Sequence, residues 1–253
     1  MSMRDADLAA HLAEAAGRLL LDARNTGKLT GKALGTMGDG AANAFLVDAL
    51  RTARPADGLL SEEERDDAAR LAMTRVWIVD PVDGTREYGE GRSDWAVHVA
   101  LAVDGVASIG AVALPALGLV LRSDQAQALP AAPARPRMVV SRSRPAREAI
   151  AVAEAIGAEL IPMGSAGAKA MAIVRGEAEI YLHTGGQYEW DSCAPVAVAA
   201  AHGLHASRVD GSPLRYNQRD TYMPDLLICR SEWAERVLAL VAAMTAGCGQ
   251  AAS

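Results

Sequence analysis

Two carboxylates leave one apolar run three residues apart in Trp77-Ile78-Val79-Asp80-Pro81-Val82-Asp83-Gly84-Thr85. The run Val76 to Val79 has strand length and no polar residue, so it reads as a strand buried on both faces. Pro81 fixes φ and Gly84 permits a backbone conformation closed to other residues, so the spacing predicts a tight turn. Such a turn aims Asp80 and Asp83 at one point, with the Val82 carbonyl exposed between them. Carboxylate and carbonyl oxygens are hard ligands that suit Mg²⁺. Gly84 and Thr85 then offer free backbone N–H groups, a seat for phosphate oxygens. An ordinary acidic turn explains any single Asp, but each residue of the whole string answers a separate need.

Three further acidic segments are candidates. Ser61-Glu62-Glu63-Glu64 follows a short apolar stretch; such a run is usually a solvated face, and gains meaning only as a ligand source near Asp80. In Glu189-Trp190-Asp191-Ser192-Cys193-Ala194-Pro195, Asp191 stands where an apolar helix begins, the place of an N-cap, and Pro195 fits a first turn. Gly38-Asp39-Gly40 precedes another helix and reads locally as a cap.

The elements that must position these acids alternate. Residues 5–24 and 40–53 have helical apolar spacing, and 26–38, rich in Gly and Thr, read as an irregular loop. Strand signals cover 58–60, 76–79, 95–103, 106–114 and 117–122, and Asp104-Gly105 marks a hairpin. The Pro-rich stretch 130–137 suggests a boundary between residues 1–130 and 131–253. Beyond it come strand 138–141, helix 146–156, strand 158–161, helix 165–175, strand 178–182, helix 192–202, strand 225–229 and helix 231–245. The fold class is α/β, with an α+β N-terminal half and an α/β C-terminal half.

Composition narrows the partners. The chain has 253 residues, 51% hydrophobic and 22% charged, which is globular rather than disordered. A net charge of −6 argues against a broad basic face for nucleic acid. Neither a targeting segment nor a membrane span is visible. Cys193, Cys229 and Cys248 have no CxxC spacing, which argues against a disulfide framework and fits a reducing cytosol. The expected compartment is therefore cytoplasmic.

Single residues have two readings each. Lys169 follows Gly164-Ser165 by helical spacing and would meet a second phosphate or a ribose, or is a solvated helix lysine. Tyr216 would stack on a base, but packing is the commoner role. Glu189 would contact substrate or only shape the Asp191 turn. His98, in an apolar run, reads as a core histidine, and His202 and His205 as surface or capping groups.

Taken together, "DPVDGT" and "WDSCAP", with "SEE" and "GD" upstream, resemble the inositol monophosphatase superfamily of metal-dependent, lithium-sensitive phosphatases. The similarity runs from about Leu8 to Pro224, with the motifs in family order. It implies a layered αβαβα sugar-phosphatase-like fold. It also implies metal ligation by Glu62, Asp80, the Val82 carbonyl, Asp83 and Asp191, with two or three Mg²⁺ per site. Asp39 with Thr85 would polarise the attacking water. Asp83, Gly84, Thr85 and Asp191, with Ser165, Lys169 and Glu189, would line the substrate. The resemblance also allows a homodimer, since members of that superfamily are often dimers.

Within the superfamily the residues lean one way. Arg86-Glu87-Tyr88 after the DGT, and "EWDSCAP", are similar to phosphatases of 3′-phosphoadenosine 5′-phosphate (PAP). "GSAGAK" and "GSPLRYN" resemble segments of the CysQ-type members, and "LGTMGDGAAN" those of actinobacteria. PAP is the first expected substrate, in a role in sulfate assimilation. Inositol monophosphate and fructose 1,6-bisphosphate come second. The reading of a different class is a non-catalytic phosphate-binding regulator, disfavoured by retention of all the clustered acids. The Asp-x-Asp-Gly-Thr motif of haloacid-dehalogenase phosphatases does not fit, because two residues separate these aspartates.

Overall fold

The computed structural model describes residues 3–250, with side chains described through Thr245. Two helices open the chain, α1 (Asp5–Asn25) and α2 (Gly31–Ala53). A five-stranded sheet follows in the order β1 (Gly58–Ser61), β2 (Arg75–Asp83), β3 (Ala96–Val103), β4 (Val106–Leu114) and β5 (Leu119–Arg122). β1 and β2 run parallel, and the remaining pairs are antiparallel. Asp104 and Gly105 turn the β3–β4 hairpin, both with positive φ. A short helix, α3 (Thr85–Gly89), links β2 to β3.

The second part carries α4 (Arg147–Ile156), α5 (Ala166–Val174), α6 (Glu189–Ala201) and α7 (Ser231–Gln250). Its strands are β6 (Arg137–Ser141), β7 (Glu159–Met163), β8 (Ile180–His183), β9 (Gln187–Tyr188), β10 (His205–Ser207), β11 (Tyr222–Met223) and β12 (Leu226–Cys229). Five of them form a mixed sheet ordered β10-β12-β8-β6-β7, and β9 pairs with β11 alone. Residues 123–136, between the sheets, contain neither helix nor strand.

Side-chain alternation explains the layering. On β2, Trp77 and Val79 face a core shared with Leu12, Leu20 and Leu46 of α1 and α2. Val76 and Ile78 face the opposite way, into a core built with Ala168 and Ile173 of α5 and Ala194 and Val198 of α6. The same core takes Val139, Tyr181 and Ile228 from the second sheet. That sheet's other face packs on α4 and α7 through Val152 and Val237. The layers are therefore helices, sheet, helices, sheet, helices. Because α5 and α6 pack on both sheets, their N-termini are fixed relative to the end of β2.

Three local expectations change. Residues 31–38 are helical, not part of a loop: α2 starts eight residues before Asp39. Two of its glycines are required by packing, since a Cβ on Gly35 would lie 2.6 Å from Thr85 Cγ2 and one on Gly38 2.6 Å from Tyr88 Cε1. Asp39 is accordingly a mid-helix residue rather than a cap. Finally, α6 begins at Glu189, so Asp191 is the third helical residue and Pro195 lies inside the helix. A proline there cannot donate to the Asp191 carbonyl, one turn earlier.

Candidate active site

A bulge aligns the two aspartates of β2. Asp80 is opposite His98 and Asp83 opposite Ala96, so three steps on β2 match two on β3. Residues three apart in a regular strand point to opposite faces; the extra residue restores the phase and brings both carboxylates to one side. The tight turn falls at Gly84, as the sequence indicates, with a left-handed φ of 86° and ψ of 44°.

Asp191, at the start of α6, joins this pair. One carboxylate oxygen from each of Asp80, Asp83 and Asp191 lies within 4.8 Å of the others. Asp191 Oδ2 also accepts the Tyr188 N–H at 2.6 Å, which fixes its rotamer. Glu62 stands close enough to this cluster for its charge and that of Asp80 to act on each other. The acidic run is oriented by its neighbours: Ser61 Oγ donates to Asn43 Oδ1, and Asn43 Nδ2 donates to Glu64 Oε1. Glu64 is thereby tied to α2, while Glu62 and Glu63 stand near Asp39.

Like charges this close oppose ionisation. Burial, with Glu62 and Asp83, pushes Asp80 well above the usual carboxylate range. Glu62 keeps an exposed side, yet loss of water in the cleft, with Asp191 and Asp39, raises it to about 7. Burial and Asp83 raise Asp191 to about 6. Asp83 is the exception. Burial would raise it, but His98, Lys169 and the Gly167 amide outweigh that and hold it below its ordinary value.

Asp39 faces the cluster from α2. The Thr85 hydroxyl is 3.4 Å from Asp39 Oδ1 and 3.1 Å from the Val82 carbonyl, and can donate to either. Burial and Glu63 push Asp39 up to about 7.

The cluster fits a hard cation. Asp80 Oδ1 is buried with no hydrogen-bond partner, a costly state unless a cation takes it. All the donors are oxygens, as Mg²⁺ requires.

Several supports were not legible in the sequence. The amides of Ala166 and Gly167 donate to Asp83 at 3.1 and 2.6 Å. His98 Nε2 lies 3.2 Å from Asp83 Oδ2, and its Nδ1 is 3.0 Å from the Trp190 carbonyl. His98 is thus buried in the sheet, as expected, but touches a candidate ligand. Asp94 holds the start of α5 by accepting the Gly164 N–H at 2.7 Å.

Other candidates are placed as follows. Ser165 caps α5, its Oγ accepting the Ala168 N–H at 2.8 Å. Lys169 is buried; its Nζ donates to the Gly164 and Ser165 carbonyls. Burial pushes it below its ordinary value against the pull of Asp83 and Glu87. The Glu189 carboxylate accepts the N–H groups of Asn217 and Gln218 at 2.6 and 2.7 Å, so it pins that loop beside α6. Arg70, almost fully buried, bonds Asn217 and Asp66 in the same hub. Tyr216 is buried, its OH 3.2 Å from Ser192 Oγ, and is a packing residue with no open face for a base. The exposed aromatics lie instead at Tyr188, stacked on Trp190 at 4.9 Å, and at Tyr222. His202 Nδ1 is 2.8 Å from the Val198 carbonyl and His205 Nε2 2.8 Å from Ser207 Oγ. Cys193 and Cys229 are buried free thiols; the side chain of Cys248 lies outside the described residues. Among the described residues no helix is long and apolar enough to cross a membrane.

The paired strand-end acids, the Asp39–Thr85 contact and the αβαβα layers define a phosphatase architecture. The sequence profile of the Inositol monophosphatase family matches residues 4–246, and the chain belongs to that family. It is 49% identical over 254 residues to the "3′-phosphoadenosine 5′-phosphate phosphatase" of Mycobacterium leprae, covering 94% of both chains. It is 30% identical over 200 residues to the "3′(2′),5′-bisphosphate nucleotidase CysQ" of Escherichia coli K12, covering 74% of this chain and 81% of that one. The structure of CysQ from Bacteroides thetaiotaomicron superposes with a TM-score of 0.77 at 25% identity, covering 89% of this chain and 97% of that one. The chain is thus an enzyme, a phosphatase of this family.

Proposed function

We propose that the chain is a Mg²⁺-dependent phosphatase that converts PAP to AMP and inorganic phosphate in the cytosol, clearing a by-product of sulfate assimilation. The observation that carries this reading is the 49% identity, over nearly the whole chain, with a protein named for that reaction. The exposed Tyr188 ring, stacked on the partly buried Trp190 next to Asp191, supports a nucleotide, because a purine gains from an aromatic face.

Glu62, Asp80, the Val82 carbonyl, Asp83 and Asp191 would hold the metal. Mg²⁺ bound there supplies charge neutralisation of the phosphate and acidification of water. The chain's own groups do the rest. Asp39, raised to about 7, is poised to accept a proton near neutral pH, and the Thr85 hydroxyl can donate either to it or to the Val82 carbonyl. The water's oxygen bonds phosphorus, the bond from phosphorus to the ribose 3′-oxygen breaks, and a proton returns to that oxygen. The Gly84–Thr85 backbone would seat phosphate oxygens while His98 and the α5 amides hold Asp83 still.

The test is phosphate release from PAP by the purified protein, with Mg²⁺ and with a chelator. Release with Mg²⁺, lost on chelation and in Asp83→Asn, is expected. Release unaffected by chelation would remove the metal from the account.

A further inference from the structure

A cavity of about 310 Å³ lies at the C-terminal ends of α5 and α6, whose N-terminal ends serve the carboxylate cluster. β5 gives it Arg122, the connecting segment Gln125 and Gln127, the end of α5 Arg175, and the end of α6 His202. Arg175 stands eight residues past Gly167, and His202 eleven past Asp191. At 1.5 Å rise per residue that is about 12 Å and about 16 Å along the two helices. The cavity is therefore separate from the catalytic cleft.

Its outer wall is anchored. Leu129 packs on the central core. Pro130 sits so close to the turn after α5 that a Cβ on Gly176 would lie 2.6 Å from its Cγ. The Pro130 carbonyl also accepts Arg230 Nη1 at 2.9 Å.

The lining holds two arginines and a histidine and no carboxylate. Arg122 bonds Asp124 and Asp7 through Nε and Nη2 at 2.7 to 2.9 Å. Arg175 bonds Glu177 through Nη2. Nη1 of each arginine is thus left without a hydrogen-bond partner among the described residues. His202 Nδ1 meets the Val198 carbonyl at 2.8 Å, which leaves Nε2 open. Net charge does not make this a site: Arg4 also reaches Asp7 and Asp124, so three arginines balance three carboxylates. The open donors make it one. A helix dipole favours a cation at each C-terminus, which accounts for Arg175 and His202 singly. It does not account for Arg122, which arrives from a strand.

Donors that converge from three elements suit the diverging oxygens of a tetrahedral oxyanion better than a planar carboxylate. The volume exceeds a bare oxyanion, and Val120, Leu121 and Val174 give the rest an apolar wall. We propose that this cavity is a second ligand site, for a small organic phosphate or sulfate ester. None of its residues belongs to the carboxylate cluster, so the proposal stands apart from the phosphatase reading.

The experiment is calorimetric titration of the full chain in chelator, where the carboxylate cluster without Mg²⁺ repels anions. The probes are inorganic sulfate, phenyl phosphate and acetate, with ionic strength held constant by chloride. The wild type is expected to bind sulfate and phenyl phosphate saturably at one site, phenyl phosphate more tightly, and acetate more weakly than either. Arg175→Gln is expected to weaken both by at least about tenfold. Ala128→Glu sets a carboxylate on the exposed rim and is expected to do the same without touching a packed residue. Asp83→Asn, in the cleft, is expected to leave the affinities unchanged. Circular dichroism checks that each variant is folded. No saturable binding by the wild type overturns the proposal, as does binding that ignores Ala128→Glu. Loss of binding in Asp83→Asn would put the anion in the cleft and overturn it too. Acetate bound as tightly as sulfate, or phenyl phosphate no tighter than sulfate, would overturn the assignment to an ester of a tetrahedral oxyanion.

Discussion

The backbone N–H of Gly167 donates to Oδ2 of Asp83 at 2.6 Å, so the start of α5 grips a carboxylate at the end of β2. A Cβ on Gly167 would lie 2.1 Å from His98 Nε2, which itself stands 3.2 Å from the same oxygen. One residue thus bears on two of the supports of Asp83, the third being the Ala166 amide at 3.1 Å. Gly167→Ala is expected to displace His98 and to cost about ten- to a hundredfold in turnover or Mg²⁺ affinity. A Mg²⁺ titration of activity on the folded variant checks this; an unchanged titration curve would detach His98 from the site.

Asp80 packs a buried, unpartnered oxygen among carboxylates. Asp80→Asn removes a like charge, so it should raise the Tm of the metal-free protein. It should also abolish the Mg²⁺-induced rise in Tm and lower turnover by about a hundredfold or more. Thermal unfolding with and without Mg²⁺ reads all but the last of these. A variant less stable than wild type without metal would contradict the strain assigned to the cluster.

Protons compete with the cation. Asp39 and Glu62 are raised to about 7 and Asp191 to about 6, above ordinary values of 3.8, 4.5 and 3.8. An acid whose folded pKa is raised binds its proton more tightly in the folded state than in the unfolded one. Stability of the metal-free protein therefore falls as pH rises from about 4 to about 7, and levels off above. Mg²⁺ must displace those protons, so its stabilisation grows over the same window. Tm measured against pH, in chelator and in saturating Mg²⁺, should show the two curves diverging toward neutral pH. Parallel curves would mean that these acids do not share the metal.

The glycines of α2 make a prediction of sign. At an open helix position Gly→Ala stabilises by about 1 kcal/mol. At Gly38 the added methyl meets the Tyr88 ring at 2.6 Å and Leu20 Cδ2 at 3.0 Å. Gly38→Ala is expected to destabilise by about 1–3 kcal/mol, measured by denaturant unfolding. A stabilised variant would show that α2 and α3 are not in close contact.

The sequence displayed the layers and the acids but not what joins them. Asp80 and Asp83 were legible because strand, proline and glycine lie in one short string. The unbroken apolar run Val76 to Val79 likewise foretold a strand buried on both faces. The start of α2 was hidden because Gly31, Gly35 and Gly38 are poor helix formers; contact with Thr85 and Tyr88 overrides that preference. His98 gave no signal, since its partner Asp83 is distant in sequence and meets it only across the β2 bulge. Glu189 and Tyr216 were legible as candidates, but their partners, the Asn217–Gln218 amides and Ser192, depend on how a loop returns to α6.

The most direct test of the account is a side-by-side measurement of kcat/KM for PAP, inositol 1-phosphate and fructose 1,6-bisphosphate with Mg²⁺. The account predicts a value for PAP at least about tenfold above the others, which corresponds to about 1.4 kcal/mol of transition-state discrimination. Comparable values for all three would contradict it, and would make the chain a broad sugar-phosphate phosphatase.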